Sequence, residues 1–250
     1  MIKFFRQIRF RLMETGKTSR YFKYAIGEIV LVVIGILIAL QINTWNENRK
    51  LKQVEIKALR EIQKGFQADT ADLSINVDAL RGVYVSSQLI LKELDSSRPY
   101  HDSLSRHFAK ALQVTRLISN DGPYEVLKSK GLDLVSNDSI RQRIVDIYDG
   151  RYEAIRTWEQ GFFISDRYIQ QECIDLFDIV QTFDFGRDGL REAKMVPHDF
   201  EALKTNERYK TMTRTFGAQS KLLLMYSIRV KRQLEELLSS IEHELIKLAE

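Results

Sequence analysis

The sequence predicts an all-α protein: one N-terminal transmembrane helix continuous with an extramembrane, antiparallel helical bundle. Three observations carry that prediction. Residues 25–42 are apolar or small except for Glu28 and Gln41. Beyond residue 46 the large apolar side chains recur three or four apart, the spacing of a helix with one buried face. No stretch sustains the in-out alternation of a half-buried strand, and the 250 residues contain only 3 prolines to interrupt helices.

The apolar stretch comes first. At the helical rise of 1.5 Å per residue, residues 25–42 extend roughly 27 Å, the thickness of a bilayer's hydrocarbon core. Tyr24 and Trp45 stand at its ends, where amphipathic rings favour the headgroup level. The organisation expected is therefore a basic tail over 1–23, a span over 24–45 and a large domain over 46–250. In the tail, Ile2, Phe5, Ile8 and Leu12 follow helical spacing, with Lys3, Arg6, Arg9 and Arg11 on other faces. Such a segment either lies in the membrane interface against anionic lipid or acts only as a basic flank that sets topology. No small-residue cleavage site follows the apolar run, so the span is expected to be an uncleaved anchor.

Charge is distributed unevenly. Of the 38 Lys and Arg, seven lie in the tail and 31 beyond the span. Of the 34 Asp and Glu, all but Glu14 and Glu28 lie beyond it, which leaves 32. The net charge of +4 thus belongs to the tail, and the large domain is close to neutral. That excludes the basic face on which nucleic-acid binding depends. Seven cations precede the span, and Arg49, Lys50, Lys52, Lys57 and Arg60 follow it. The bias predicts a cytoplasmic N-terminus with the large domain on the far side.

The domain reads as four helical segments. From 46 to 97, Leu51, Val54, Ala58, Ile62, Phe66, Leu73, Val77, Leu80, Tyr84, Leu91 and Leu94 form a stripe, weakened at Gly65 and Gly82. Ser96–Ser97–Arg98–Pro99 ends it. From 102 to 131, Leu104, Phe108 and Leu112 make an inner face, with Thr115 a further candidate. After a break at 119–123, Pro123 opens a helix that Gly131 closes. Leu132, Leu134 and Val135 are expected to plug the core before Ser136–Asn137–Asp138 caps the next segment. From 138 to 180 the stripe continues through Ile140, Ile144, Ile147, Tyr148, Ile155, Trp158, Phe162, Ile169, Cys173 and Leu176. Residues 181–204 read as a turn-rich loop. The last segment, 205–249, carries Leu223, Tyr226, Val230, Leu234, Leu237, Ile241, Leu245 and Leu248. Its stripe averages near 3.6, which predicts packing in a globular bundle rather than a coiled coil.

Two stretches carry a resemblance. The opening YAIGEIVLVVIGILIALQINTWNENRK (24–50) resembles a domain-of-unknown-function family of single-pass membrane proteins from Gram-negative bacteria, and YEVLKSKGLDLVSNDSIRQRIVDIYD (124–149) is similar to the same family's downstream pattern. The resemblance implies an anchor in the inner (cytoplasmic) membrane and a helical, periplasmic domain. It brings no activity and no functional residues.

Chemical motifs are sparse. The single cysteine, Cys173, excludes an intramolecular disulfide and reads as a small buried hydrophobe, with an intermolecular bridge as the alternative. His101, His107, His198 and His243 are scattered. Asp184, Asp188 and Gly189 match three positions of a calcium loop, but Gly186 and Met195 stand where ligands belong. Asp184–Phe185–Gly186 matches a kinase triplet without its companion motifs. No catalytic set, metal or cofactor is therefore expected.

The polar and small residues of the span do suggest a contact. Glu28, Gly35, Ala39 and Asn43 lie 7, 4 and 4 apart and share one helix face. Small residues let backbones approach, and an intramembrane carboxylate has a function by default. The competing expectation is that Glu28 snorkels to the basic cytoplasmic flank. The partners expected are membrane lipid and a second copy or another membrane protein along this face. Two functions fit: a non-enzymatic, membrane-anchored interaction or scaffold protein, or a ligand-sensing helical-bundle domain. The second would use a pocket among Tyr148, Tyr152, Trp158, Phe162, Phe163 and Tyr168.

Overall fold

The computed structural model describes residues 18–184 and 189–250. Of the basic tail expected over 1–23, residues 1–17, with the helical spacing of Ile2, Phe5, Ile8 and Leu12, lie outside them. Among the described residues the chain is mostly helical, with one two-stranded antiparallel sheet. It divides into two compact units, residues 1–54 and 55–250.

The first unit contributes the start of α1, which runs unbroken from Thr18 to Leu94 over 77 residues. The junction 43–52, free of Gly and Pro, is helical as expected. Trp45 receives the Arg49 guanidinium over its ring at 5.9 Å.

In the second unit, three rods make the bundle: α1 from Glu55 onward, a composite rod of α4 (Asp138–Val145) and α5 (Glu153–Ile174), and α7 (Glu207–Ala249). Direction follows from the contacts. Lys210 near the start of α7 meets Asp95 just past the end of α1, and Lys221 covers Tyr84. Hence α7 is antiparallel to α1. Arg143 of α4 bonds Ser240, and the rings of Phe162 in α5 and Phe216 lie 4.3 Å apart. The composite rod is thus also antiparallel to α7, and parallel to α1. The composite segment 102–131, expected as two short helices about a break, carries the chain back along the bundle. It consists of α2 (Ser103–Lys110), an irregular stretch over 113–121 and α3 (Gly122–Lys130). Parallel neighbours need such a return.

The buried positions of α1 step by four and three, from Glu55 through Leu59, Ile62, Phe66, Asp69 and Leu73 to Leu94. Those of α7 step likewise, from Tyr209 through Thr213, Phe216, Ser220, Leu223 and Ser227 to Glu244. A repeat of 3.5 is the seam of a coiled coil, not the 3.6 stripe expected for the last helix. Polar residues at Asp69, Ser220 and Ser227 conceal it from an apolar count. The seam needs close approach at Gly217: an added Cβ there would stand 2.8 Å from the Ser87 Cβ.

In the composite rod, residues 146–152 form a π-helical turn. Ile140 and Ile144 ahead of it and Ile147 in its first half are buried, as are Tyr152 at its end and Ile155, Glu159 and Phe162 beyond. An uninterrupted four-three repeat would have brought Arg151, Ala154 and Trp158 to the core. The extra residue of the π turn rotates the later stripe back into phase.

Caps follow the expected chemistry. Pro123 sits in the first turn of α3, and Gly131 after its end has φ 102°, a region that favours glycine. The Asn137 side chain accepts from Ile140 N–H at the start of α4. Leu132 and Leu134 pack against the core and Val135 is buried.

Two expectations are corrected. The helix expected to reach 180 ends at Ile174, and the region expected as a loop is a hairpin of β1 (Phe177–Asp184) and β2 (Gly189–Pro197). The strands pair from Phe177↔Pro197 to Asp184↔Gly189, with an irregularity at Thr182/Phe183. β-Branched and aromatic residues in β1 favour strand, and Phe177 and Met195 enter the core beside Phe108 of α2. Asp184 and Gly189 of the supposed calcium loop are the last pair of this ladder. Asp188 lies outside the described residues. A short α6 (Phe200–Thr205) leads into α7.

Candidate functional site

Glu28, Gly35, Ala39 and Asn43 all fall within α1, where their spacing places them on one face. Gly35, Ala39 and Asn43 are exposed, Glu28 is half-buried, and an added Cβ on Gly35 would meet nothing within 4 Å. Asn43 Nδ2 donates to Glu47 Oε1 at 3.1 Å, which extends the polar end of this face by one turn. Around it the helix is apolar on every side. Its most apolar 18-residue window has a mean hydropathy of 2.6 with none of it buried.

A second constellation lies in the bundle, where the irregular stretch 113–121 crosses the rods. Its backbone has no strand partner, and side chains take that role. Asn76 Nδ2 donates to Arg116 O at 3.3 Å. Leu117 N–H donates to Glu159 Oε1 at 2.7 Å, Ile118 N–H to Asp72 Oδ2 at 3.0 Å and Asn120 N–H to Asp69 Oδ1 at 2.7 Å. Tyr148 OH donates to Asn120 O, and Arg156 bonds both Ser119 Oγ and Asp121 Oδ2 at 2.6 Å. Leu117 is buried, so its amide requires a partner; Glu159 of α5 supplies it, and Asp72 and Asp69 of α1 take the amides of the more exposed Ile118 and Asn120.

Asp69 is the centre. Its side chain is fully buried, and its other oxygen accepts from Tyr152 OH at 2.7 Å. Tyr152 stands edge-on to Tyr148, which stacks on Tyr124 at 4.4 Å and on Phe66 at 5.1 Å. Tyr124 OH donates to Asp149 at 2.7 Å. Burial raises the Asp69 and Glu159 carboxyls above their ordinary ranges, although N–H donors pull the other way. Burial also raises Tyr124, Tyr148 and Tyr152, so these phenols stay protonated. Sequence reading passed over Asp69 and Glu159. The signal that finds them is a carboxylate in phase with an apolar seam.

Of the aromatics expected to line a pocket, Tyr148, Tyr152 and Phe162 are core, whereas Trp158, Phe163 and Tyr168 face outward. The enclosed space among Ala111, Ile169, Tyr209 and Phe216 measures about 10 Å³, room for at most one water. An open cleft of about 410 Å³ lies between α4 and α7, lined by Ser139, Arg143, His243 and Lys247 among others. Ser86 Oγ lies 3.0 Å from His107 Nδ1. Ser86 is buried in mid-helix, where neighbouring N–H groups are committed to the helix and none is left for an oxyanion. Cys173 is buried. Among the described residues no three His, Cys, Asp or Glu side chains converge as a metal site.

A family profile described as a family of unknown function, DUF6090, matches residues 28–163. No curated protein and no solved structure matches the chain. The matched stretch contains the apolar face and the carboxylate constellation, but not α7, whose Leu223, Val230, Leu234, Leu237 and Ile241 form one wall of the core.

Proposed function

We propose that this chain, which belongs to the DUF6090 family of unknown function, is a membrane-anchored, non-enzymatic interaction or scaffold protein. The supporting observation is the apolar part of α1. A helix apolar all round and unburied is stable only in lipid or under another protein, and at roughly 27 Å its length suits a bilayer. The cation bias orients the N-terminus to the cytoplasm and residues 46–250 to the periplasm, with the span in the inner membrane. The bundle then offers its surface to partners. The Glu28, Gly35, Ala39 and Asn43 face is the contact with a second copy or another membrane protein.

The ligand-sensing alternative needs an interior pocket, and it loses support where Tyr148, Tyr152 and Phe162 pack into the core. The test is to wash membranes carrying the full chain with alkaline carbonate and then crosslink. The chain should stay in the membrane fraction and crosslink to itself or to a membrane protein. Gly35→Ile should abolish the crosslink, Glu28→Leu should weaken it, and Glu28→Gln should retain part of it. Release by carbonate would refute the anchor. Unchanged crosslinking in all three variants would leave Glu28 as a snorkelling residue and refute the face.

A further inference from the structure

We propose that the open cleft between α4 and α7 holds the phosphate of an anionic membrane phospholipid, with Arg143 as its principal donor. The lipid source of that phosphate rests on the anchored reading above.

Two helix faces build the cleft. Ser139 and Arg143 lie one turn apart on α4, and Ser240, His243, Glu244 and Lys247 follow one another along one face of α7. The space between them, about 410 Å³, suits a small polar group. Glu244 is buried, and its carboxylate is already engaged. Asn137 Nδ2 donates to it at 2.6 Å and Lys247 Nζ stands 3.5 Å away. Arg143 has no such partner. Its half-buried guanidinium donates from Nη1 to the Ser240 hydroxyl at 2.9 Å, and among the described residues no carboxylate lies within ion-pair distance of it. A half-buried charge without a counter-charge is costly. The rest of its planar donor fork is uncommitted, and an oxyanion with two oxygens is its complement. His243 Nδ1 donates to Ser239 O at 2.7 Å, which leaves Nε2 for a ligand. With that ring neutral, Arg143 and Lys247 against Glu244 leave the cleft one net positive charge. It therefore favours an anionic headgroup over a zwitterionic one, which would bring a cation of its own.

The position of the cleft in the bundle favours a lipid over a free anion. Glu55, the first residue of the bundle unit, accepts from both the N–H and the hydroxyl of Ser136 at 2.7 Å. Ser136 directly precedes Asn137 of the cleft wall. The cleft thus lies at the end of the bundle where the chain enters from the apolar segment, and Glu55 follows Trp45 by only ten residues. Arg49, Lys50 and Lys52 lie in that interval and draw anionic lipid toward it.

The experiment uses the full chain in dodecyl maltoside micelles doped with equal amounts of phosphatidylglycerol and phosphatidylcholine. Native mass spectrometry counts the lipid retained. The unaltered chain should retain phosphatidylglycerol several-fold over phosphatidylcholine. Arg143→Gln should bring the two to parity, and Arg143→Lys should keep part of the preference. Ser139→Asp adds a like charge to the cleft while favouring the first turn of α4. It should fold, as read by circular dichroism, and also lose the preference, so it decides the matter if Arg143→Gln does not fold. Equal retention of both lipids by the unaltered chain would overturn the proposal. So would a preference that survives in either folded variant. Displacement of phosphatidylglycerol by millimolar inorganic phosphate would make the cleft a site for a free anion and overturn the lipid assignment. Micelles separate this result from the anchor. A carbonate-resistant chain with no Arg143-dependent preference refutes the cleft and leaves the anchor, whereas carbonate release with the preference intact refutes the anchor and leaves the headgroup site.

Discussion

Gly217→Ala sets two effects of known sign against each other. Alanine favours a helix interior by about 1 kcal/mol over glycine. At Gly217, however, the new Cβ would lie 2.8 Å from the Ser87 Cβ and 3.2 Å from its Oγ. Carbon atoms in contact prefer about 3.5–4.0 Å, so α7 and α1 must separate by close to an ångström. Ser87 is fully buried, its Cβ is fixed to the backbone, and its hydroxyl donates to Val83 O at 2.9 Å. The clash therefore falls at the upper end of the overpacking range, about 3 kcal/mol, and the net loss is about 2 kcal/mol. For a chain of this size that lowers Tm by about 4–8 °C. The assay is thermal melting of the full chain in detergent by circular dichroism. Ser87→Gly deletes the opposing Cβ, so the double variant should recover most of the clash, with a coupling of about 1–3 kcal/mol. An unchanged or higher Tm for Gly217→Ala would refute the close approach of these helices. Additivity in the double variant would refute the assignment to Ser87.

The π turn predicts an asymmetry between deletion and insertion. Deleting Gly150 should straighten the rod into continuous α-helix with its seam still in phase and change Tm by only a few degrees. Inserting an alanine after Gly150 rotates the rest of α5 by about 100° and should abolish the cooperative melt; equal effects would refute the phase argument. Tyr152→Phe leaves buried Asp69 without one of its two donors and should cost about 1–3 kcal/mol in denaturant unfolding. An unchanged midpoint would show that the hydroxyl is not needed. At the junction, Asn48→Pro opposes helix by about 3 kcal/mol and should accelerate proteolysis within 43–52; equal cleavage rates would contradict a continuous α1.

Much of the fold was legible because local rules govern it. The caps at Asn137 and Gly131 and the opening of α3 at Pro123 depend on a few adjacent residues. The long helices were also legible, and most of their stripe is buried, including Ile62, Phe66, Leu73, Leu80, Leu223, Val230, Leu234 and Ile241, but the full seam was not. An apolar count includes Tyr84, Leu91 and Tyr226, which are only half-buried, and omits Asp69, Asn76, Ser87 and Ser227, which are buried. The π turn was hidden because Ile147 and Tyr148 satisfy both phases. The hairpin was hidden because the helical spacing of Ile169, Cys173 and Leu176 runs into it, and its strands depend on Phe177 and Met195 meeting α2. At the candidate sites, the residues of the α1 face follow from spacing alone. The carboxylate constellation does not, since Leu117 and Glu159, or Asn120 and Asp69, meet only after folding.

The central claim, a cytoplasmic N-terminus and a bundle on the other side of the membrane, is tested most directly by cysteine labelling. In a Cys173→Ser background, Ile2→Cys or Ala249→Cys supplies the single thiol, and intact spheroplasts are treated with a membrane-impermeant reagent. Labelling at position 249 with protection at position 2, reversed only on lysis, is the predicted result. Labelling at position 2 with protection at position 249 would contradict the orientation, and labelling at both positions would contradict the span.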